Sequence, residues 1–143
     1  LIAATTILTT MTLASCDIET SSAAGDFNGM WHLTRVDTIA TGGVLDLKKE
    51  KIYWAFQYKL MQADDKNEKH PKILMRFNQT NTQLTLHTPY CYDRENGDVP
   101  LSDPTLLAPY GINKLEENFQ VIKLTGSKMV LQSETLKLTF KGF

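Results

Sequence analysis

The chain's 143 residues allow one domain with a real hydrophobic core and are too few for two ordinary ones. A composition of 42% apolar and 22% charged residues is that of a globular chain and excludes a disordered one. Fifteen Lys and Arg against sixteen Asp and Glu leave a net charge of −1, and no basic face shows in the sequence, so nucleic acid is not expected as a partner.

Residues 1–12 are an uncharged run of Leu, Ile, Ala, Thr and Met, followed by Leu13-Ala14-Ser15-Cys16. The run is shorter than the ~20 residues a spanning helix needs and fits the apolar core of a signal peptide. The order Leu, small, small, Cys resembles the lipobox of bacterial lipoproteins. That resemblance implies cleavage before Cys16, acylation of Cys16, and the membrane as a partner through this anchor. It further implies an outer-membrane lipoprotein of the cell envelope, on the periplasmic face or at the cell surface. The start at Leu1, without Met or a basic segment, reads as a truncated signal peptide over residues 1–15. The alternative is a buried N-terminal helix with an ordinary core cysteine. An acylated Cys16 cannot pair, which leaves Cys91 a lone thiol, packed rather than reactive.

Residues 16–26 hold one large apolar residue, Ile18, among small polar ones, the composition of a flexible tether. The folded domain is expected over residues 27–143. Its first strand is predicted at 30–37, with Trp31 and Leu33 on one face and His32 and Thr34 on the other. Gly42-Gly43 breaks the chain, and Lys48-Lys49-Glu50-Lys51 reads as a solvated turn. Residues 52–61 form the strongest predicted strand, with Ile52, Trp54, Phe56, Tyr58 and Leu60 on one face. Residues 64–70 make a charged loop. Asp64, Asp65 and Glu68 lack the calcium-loop pattern and are balanced by Lys66 and Lys69, so they read as a solvated turn. Residues 72–77 alternate again, with Ile73, Met75 and Phe77 inward and Lys72 and Arg76 outward; residues 78–81 turn, and Leu84 and Leu86 continue the pattern.

Regularity then fails over residues 89–109, which carry four prolines and Asn96-Gly97. A segment of this length without strands is usually functional or a cover. Ser102-Asp103-Pro104 reads as the cap and first position of a short helical turn, and Asn113-Lys114-Leu115-Glu116 as a second. Three strands at 119–124, 129–132 and 136–140 close the chain, joined by Thr125-Gly126-Ser127 and Ser133-Glu134-Thr135. These are seven strand candidates with short links; an eighth would lie at 44–47 or near 107–112. The fold class is all-β, an antiparallel up-and-down meander that closes into a barrel of about eight strands rather than a sandwich. Trp31, Trp54, Phe56, Phe77, Leu86, Leu131, Leu138 and Phe140 are its predicted core.

Gly29-Met30-Trp31 at the first strand resembles the Gly-x-Trp opening of lipocalins. The ending, Met129-Val130-Leu131-Gln132-Ser133 running into Leu138-Thr139-Phe140-Lys141, is similar to that of small lipocalin-like lipoproteins from Gram-negative gut anaerobes. The resemblance implies a lipocalin-like barrel with a Trp sealing its closed end. In lipocalins an arginine near the last strands packs over that Trp; here the region offers only Lys137 and Lys141.

Signs of chemistry are sparse. His32, His70 and His87 share no ligand spacing with each other or with Cys91, so neither metal nor cofactor is expected. Ser102, Ser127 and Ser133 lack a nucleophile-elbow context. Glu116-Glu117, Asp98 and Asp103 lie in loops with nothing local to shift their titration. A non-enzymatic protein is therefore expected. The aromatic stripe of Trp54, Phe56 and Tyr58, with Met75 and Phe77, supplies two readings. In one it lines a cup for a small apolar or amphipathic ligand, with residues 89–109 as a partial lid over the open end. In the other it fills the barrel, and the loops dock on another envelope protein.

Overall fold

The computed structural model describes residues 25–93 and 95–143, so Cys16, the expected signal peptide and most of the expected tether lie outside the described residues. Among the described residues ten strands pair into one antiparallel sheet: β1 (Gly29–Thr38), β2 (Val44–Asp46), β3 (Ile52–Gln57), β4 (Leu60–Asp65), β5 (Ile73–Gln79), β6 (Gln83–Cys91), β7 (Val99–Pro100), β8 (Glu117–Leu124), β9 (Lys128–Gln132) and β10 (Leu136–Gly142). β10 returns to β1, with Trp31 opposite Gly142 and Val36 opposite Leu138. β1, β3, β4, β5, β6, β8, β9 and β10 thereby close an up-and-down barrel of eight strands. β2 extends the second half of β1, and β7 pairs with the end of β6, both at the same rim.

Side chains alternate across a strand, so one apolar set per strand enters the barrel. Ile52, Trp54 and Phe56 enter from β3, Ile73, Met75 and Phe77 from β5, Leu84 and Leu86 from β6, and Leu138 and Phe140 from β10. All eight predicted core residues are buried. Trp54 stands at the centre, with ring centroids 4.8 Å from Phe140 and 5.7 Å from Phe119.

The strand predicted over residues 52–61 is a hairpin. β3 ends at Gln57, Tyr58 and Lys59 turn, and β4 begins at Leu60, with Gln57 opposite Leu60 and Phe56 opposite Met61. Tyr58 takes φ +57, the left-handed conformation that a two-residue hairpin turn demands at its first central position. Across such a turn the inward set passes from even to odd numbers: Phe56 is followed inside by Met61, Ala63 and Asp65, while Leu60 is exposed. This hairpin supplies the eighth barrel strand. Of the two segments proposed for it, Val44–Asp46 is a strand outside the closed ring, and residues 107–112 are not strand.

Two further expectations are corrected. β6 runs on through Pro89 to Cys91 by way of a register shift at Thr88, φ +53, where a proline's missing N–H is tolerated. Residues 114–116 form bends rather than a capped helical turn; the carboxylate that receives the Asn113 N–H is Glu117, one residue after Glu116, at 3.1 Å.

The first tryptophan seals one end. Trp31 Nε1–H donates to Phe27 O at 2.9 Å, which ties the 3-10 turn Gly25–Phe27 across the barrel base, and the Phe27 ring packs at a tilt 5.4 Å from Phe56. Among the described residues no arginine is seen to pair with Trp31. Gly142 lies against it: a Cβ at that position would stand 3.0 Å from Trp31 Cζ3 and 2.6 Å from Gly126 O. Lys137 and Lys141 are both exposed.

Candidate functional site

The opposite end is where the barrel would admit a ligand, and the chain closes it itself. Between β7 and β8 a 3-10 helix, Pro104–Tyr110, crosses the mouth. Its start was legible: Asp103 Oδ1 accepts the Thr105 N–H at 3.0 Å and Pro104 takes the first helical positions. That backbone donor holds the Asp103 carboxyl below its ordinary range, a local shift the loop setting had not suggested. Its end is Gly111 at φ +84, with its N–H donating to Ala108 O at 3.0 Å. Only glycine suits this position, because a Cβ would also come within 2.8 Å of Leu138 Cδ2.

This segment sends Leu107, Tyr110 and Ile112 into the core, all fully buried. Together they form a plug. Trp54 Nε1–H donates to Tyr110 O at 3.0 Å from below, as Trp31 does to Phe27 at the other end. Tyr110 O–H donates to Pro71 O at 2.6 Å from the side. Burial, and then the Asp65 and Asp64 carboxylates, push the Tyr110 phenol far up, so it remains a protonated donor.

Three buried carboxylates organise the rim around the plug. Asp65 Oδ1 and Oδ2 accept the N–H groups of Asn67 and Lys69 at 2.9 and 3.1 Å, shaping the loop that presents Pro71. Asp64 pairs with Lys66 at 2.7 Å. These two aspartates are buried at the end of β4, not part of the solvated turn expected of them, because the flip in parity after Tyr58 directs Asp65 inward. Glu117, buried at the start of β8, holds the far side through Asn113; burial raises its carboxyl above the ordinary range.

Of the five residues expected to line a cup, four share the interior. Trp54, Phe56, Met75 and Phe77 are all buried, with Phe56 6.3 Å from Trp54 and 5.1 Å from Phe77. Tyr58 does not join them: it is 66% exposed in the hairpin turn, with Lys59 Nζ 5.6 Å from its ring. Among the described residues, grooves of about 300 to 610 Å³ lie on the barrel's outer wall and rims, and Trp54, Phe56 and Met75 line none of these. Sequence reasoning missed Leu107, Tyr110 and Ile112 as part of the site, although Asp103-Pro104 and Gly111 mark the plug's two ends.

Several of the remaining polar groups have structural partners. His32 Nε2–H donates to Glu50 O at 2.7 Å, His87 meets Thr88 Oγ1 at 2.8 Å, and the Ser133 hydroxyl accepts the Leu136 N–H at 3.1 Å. Cys91 is a free, half-buried thiol packed against the core. Among the described residues no three His, Cys, Asp or Glu side chains gather as a metal site would require.

A sequence model of the lipocalin-like domain matches residues 11–143, nearly the whole chain. The chain belongs to the lipocalin-like domain family. A lipocalin-like protein from Bacteroides uniformis superposes on it with a TM-score of 0.62 at 18% identity, over 83% of this chain and 100% of that one. An uncharacterized protein from Bacteroides eggerthii superposes with a TM-score of 0.57 at 16% identity, over 82% of this chain and 99% of that one. At these identities the likeness is one of fold. No curated protein sequence matches the chain. Within the lipocalin-like frame, Trp31 occupies the closed end and the plug occupies the mouth.

Proposed function

We propose that this lipocalin-like domain is a non-catalytic binding module of the cell envelope, tethered through an acylated Cys16, that takes a small apolar or amphipathic molecule into its barrel when the plug withdraws. One observation carries the reading. The mouth is filled by Leu107, Tyr110 and Ile112, side chains of a segment that lies outside the strand ladder and is tied to the barrel by hydrogen bonds from Trp54 and to Pro71, over an interior lined by Trp54, Phe56, Met75 and Phe77. Burying one such apolar side chain is worth about 1.5–3 kcal/mol, and ordering the backbone of one residue costs about 1–2 kcal/mol. A segment seated by three anchors and two hydrogen bonds to the barrel opens at lower cost than a strand paired along both edges, and a ligand that replaces the three anchors recovers their burial.

Uptake of a fluorescent fatty acid tests the proposal. Gly111→Ala strains φ +84 and drives a Cβ into Leu138, so it unseats the plug. Uptake is expected to rise in Gly111→Ala over the parent chain, and to fall when Phe56→Ala is added. A folded Gly111→Ala barrel that takes up no probe would sink it. That outcome would favour the second reading, a filled barrel docking on another envelope protein, for which the exposed Tyr92, Val99 and Leu106 near the mouth supply an apolar face. The anchor is tested by membrane fractionation: Cys16→Ala should leave the membrane fraction, and unchanged partitioning would end the tethered reading.

A further inference from the structure

The outer wall carries an arrangement that neither the core nor the plug uses. Tyr53 lies opposite His32, His32 opposite Lys141, and Lys141 opposite Lys128, so one cross-strand row runs over β3, β1, β10 and β9. Directly opposed residues hold their Cβ atoms about 4.5–5.5 Å apart, and like charges at that spacing disfavour the sheet. Elsewhere on this surface Lys66, Lys69 and Lys114 have carboxylates at 2.7, 3.2 and 3.1 Å. Lys128 and Lys141 have no such partner among the described residues.

A third lysine completes the feature. The loop after β2 brings Lys48 to the same groove, its own N–H held by Asp46 Oδ1 at 2.9 Å. The groove is open to solvent and has a volume of about 610 Å³, within the range of small-ligand sites. Thr139 and Ser127 add hydroxyls to its wall, and among the described residues no carboxylate lines it. The carboxylate of Glu50, in the same loop as Lys48, is taken by Lys69. The wall is rigid: His32 is pinned by the Glu50 carbonyl and stacked 4.9 Å from Tyr53, and the Thr34 hydroxyl donates to Thr139 O at 3.1 Å.

Three ammonium groups with hydroxyl donors and no acid call for an anion of more than one charge. A single carboxylate would leave the lysines still repelling one another, whereas a tetrahedral dianion accepts from several donors at once. We infer that this outer groove binds a phosphate or sulfate group, carried by a small molecule or by a lipid headgroup. The site lies outside the barrel and does not depend on the plug or on what the interior holds.

The test uses the Cys16→Ala chain, titrated with inorganic phosphate and with sulfate while backbone amide shifts are followed by NMR. Saturable shifts confined to β1, β9, β10 and the Lys48 loop are expected. The double variant Lys128→Gln/Lys141→Gln should weaken binding about tenfold or more, since a charged hydrogen bond is worth about 1.5–3 kcal/mol, while melting no lower than its parent because a like-charge pair is gone. Lys123→Gln, an exposed lysine on β8, should leave binding unchanged. Flotation with phosphatidylglycerol against phosphatidylcholine vesicles separates the sources: selective flotation lost in the double variant assigns the group to a lipid headgroup, and saturable phosphate or sulfate shifts without flotation assign it to a soluble ligand. The inference is overturned if neither assay responds, if the shifts spread evenly over the surface, or if Lys123→Gln weakens binding as much as the double variant.

Discussion

Replacing Trp54 by Phe asks how the plug is held. A phenyl ring retains aromatic contact with Phe140 and Phe119 but offers no donor to Tyr110 O, which now receives the indole N–H at 3.0 Å. A buried carbonyl stripped of its donor costs about 1–3 kcal/mol. The lost second ring leaves a void of roughly 40 Å³, worth about 1 kcal/mol at ~24 cal/mol per Å³. Together the two losses come to about 2–4 kcal/mol, or a fall in Tm of roughly 8–16 °C at about 4 °C per kcal/mol for a domain of this size. Trp31→Phe is the matched control, since Trp31 is also buried and also gives its N–H to a backbone carbonyl. Urea denaturation should show similar losses for both. Hydrogen exchange should separate them: the Gly111 and Ile112 amides, bonded to Ala108 O and Leu107 O, should open in Trp54→Phe by more than the global loss, and in Trp31→Phe by no more than it. If Gly111 and Ile112 stayed as protected as the barrel strands in Trp54→Phe, Trp54 would not be what seats the plug.

Leu138→Ala, at a fully buried β10 position beneath Gly111, should cost about 2–5 kcal/mol in a urea melt, whereas exposed Lys137→Ala should stay within about 0.5 kcal/mol; equal losses would mean the faces of β10 are reversed. Burial raises the Glu117 carboxyl, so the folded chain holds that proton more tightly than the unfolded chain, and the associated stability is full below the ordinary carboxylate range and lost as pH rises through the folded value. Glu117→Gln keeps an oxygen acceptor for the Asn113 N–H and removes the charge. Its urea midpoint should exceed the parent's at neutral pH, with the gap closing in acid; a gap that widened in acid would contradict the sign.

Much of the barrel was legible because its strands are amphipathic with period two. The 72–77 stripe and the last three strands announced their faces, and Gly29-Met30-Trp31 marked the first. Legibility failed at residues 57–60, where a two-residue turn has apolar and polar residues in the same order a continuing strand would show. Tyr58 continues the aromatic rhythm while its backbone leaves the strand, so the even-numbered stripe was carried too far, and with it Tyr58 as a lining residue and Asp65 as a solvated one. A cover from residues 89–109 was expected over the mouth, but the anchors that seat it were hidden for another reason. Leu107, Tyr110 and Ile112 have no period, and what makes them core is the end of a barrel built from residues far away in the chain. The Lys48, Lys128 and Lys141 groove is likewise a product of strand register, since β10 must lie beside both β1 and β9 before the three lysines meet.

Native mass spectrometry of protein released from its acyl anchor and kept free of detergent, read together with hydrogen exchange at Gly111 and Ile112, tests ligand binding in the barrel most directly. The expected result is an apolar molecule bound in equal stoichiometry, with those two amides exchanging faster in the loaded protein than in the stripped one. A protein that is empty, that takes up no fluorescent fatty acid, and whose plug amides stay protected throughout would contradict a binding role for the barrel and leave its loops as the working surface.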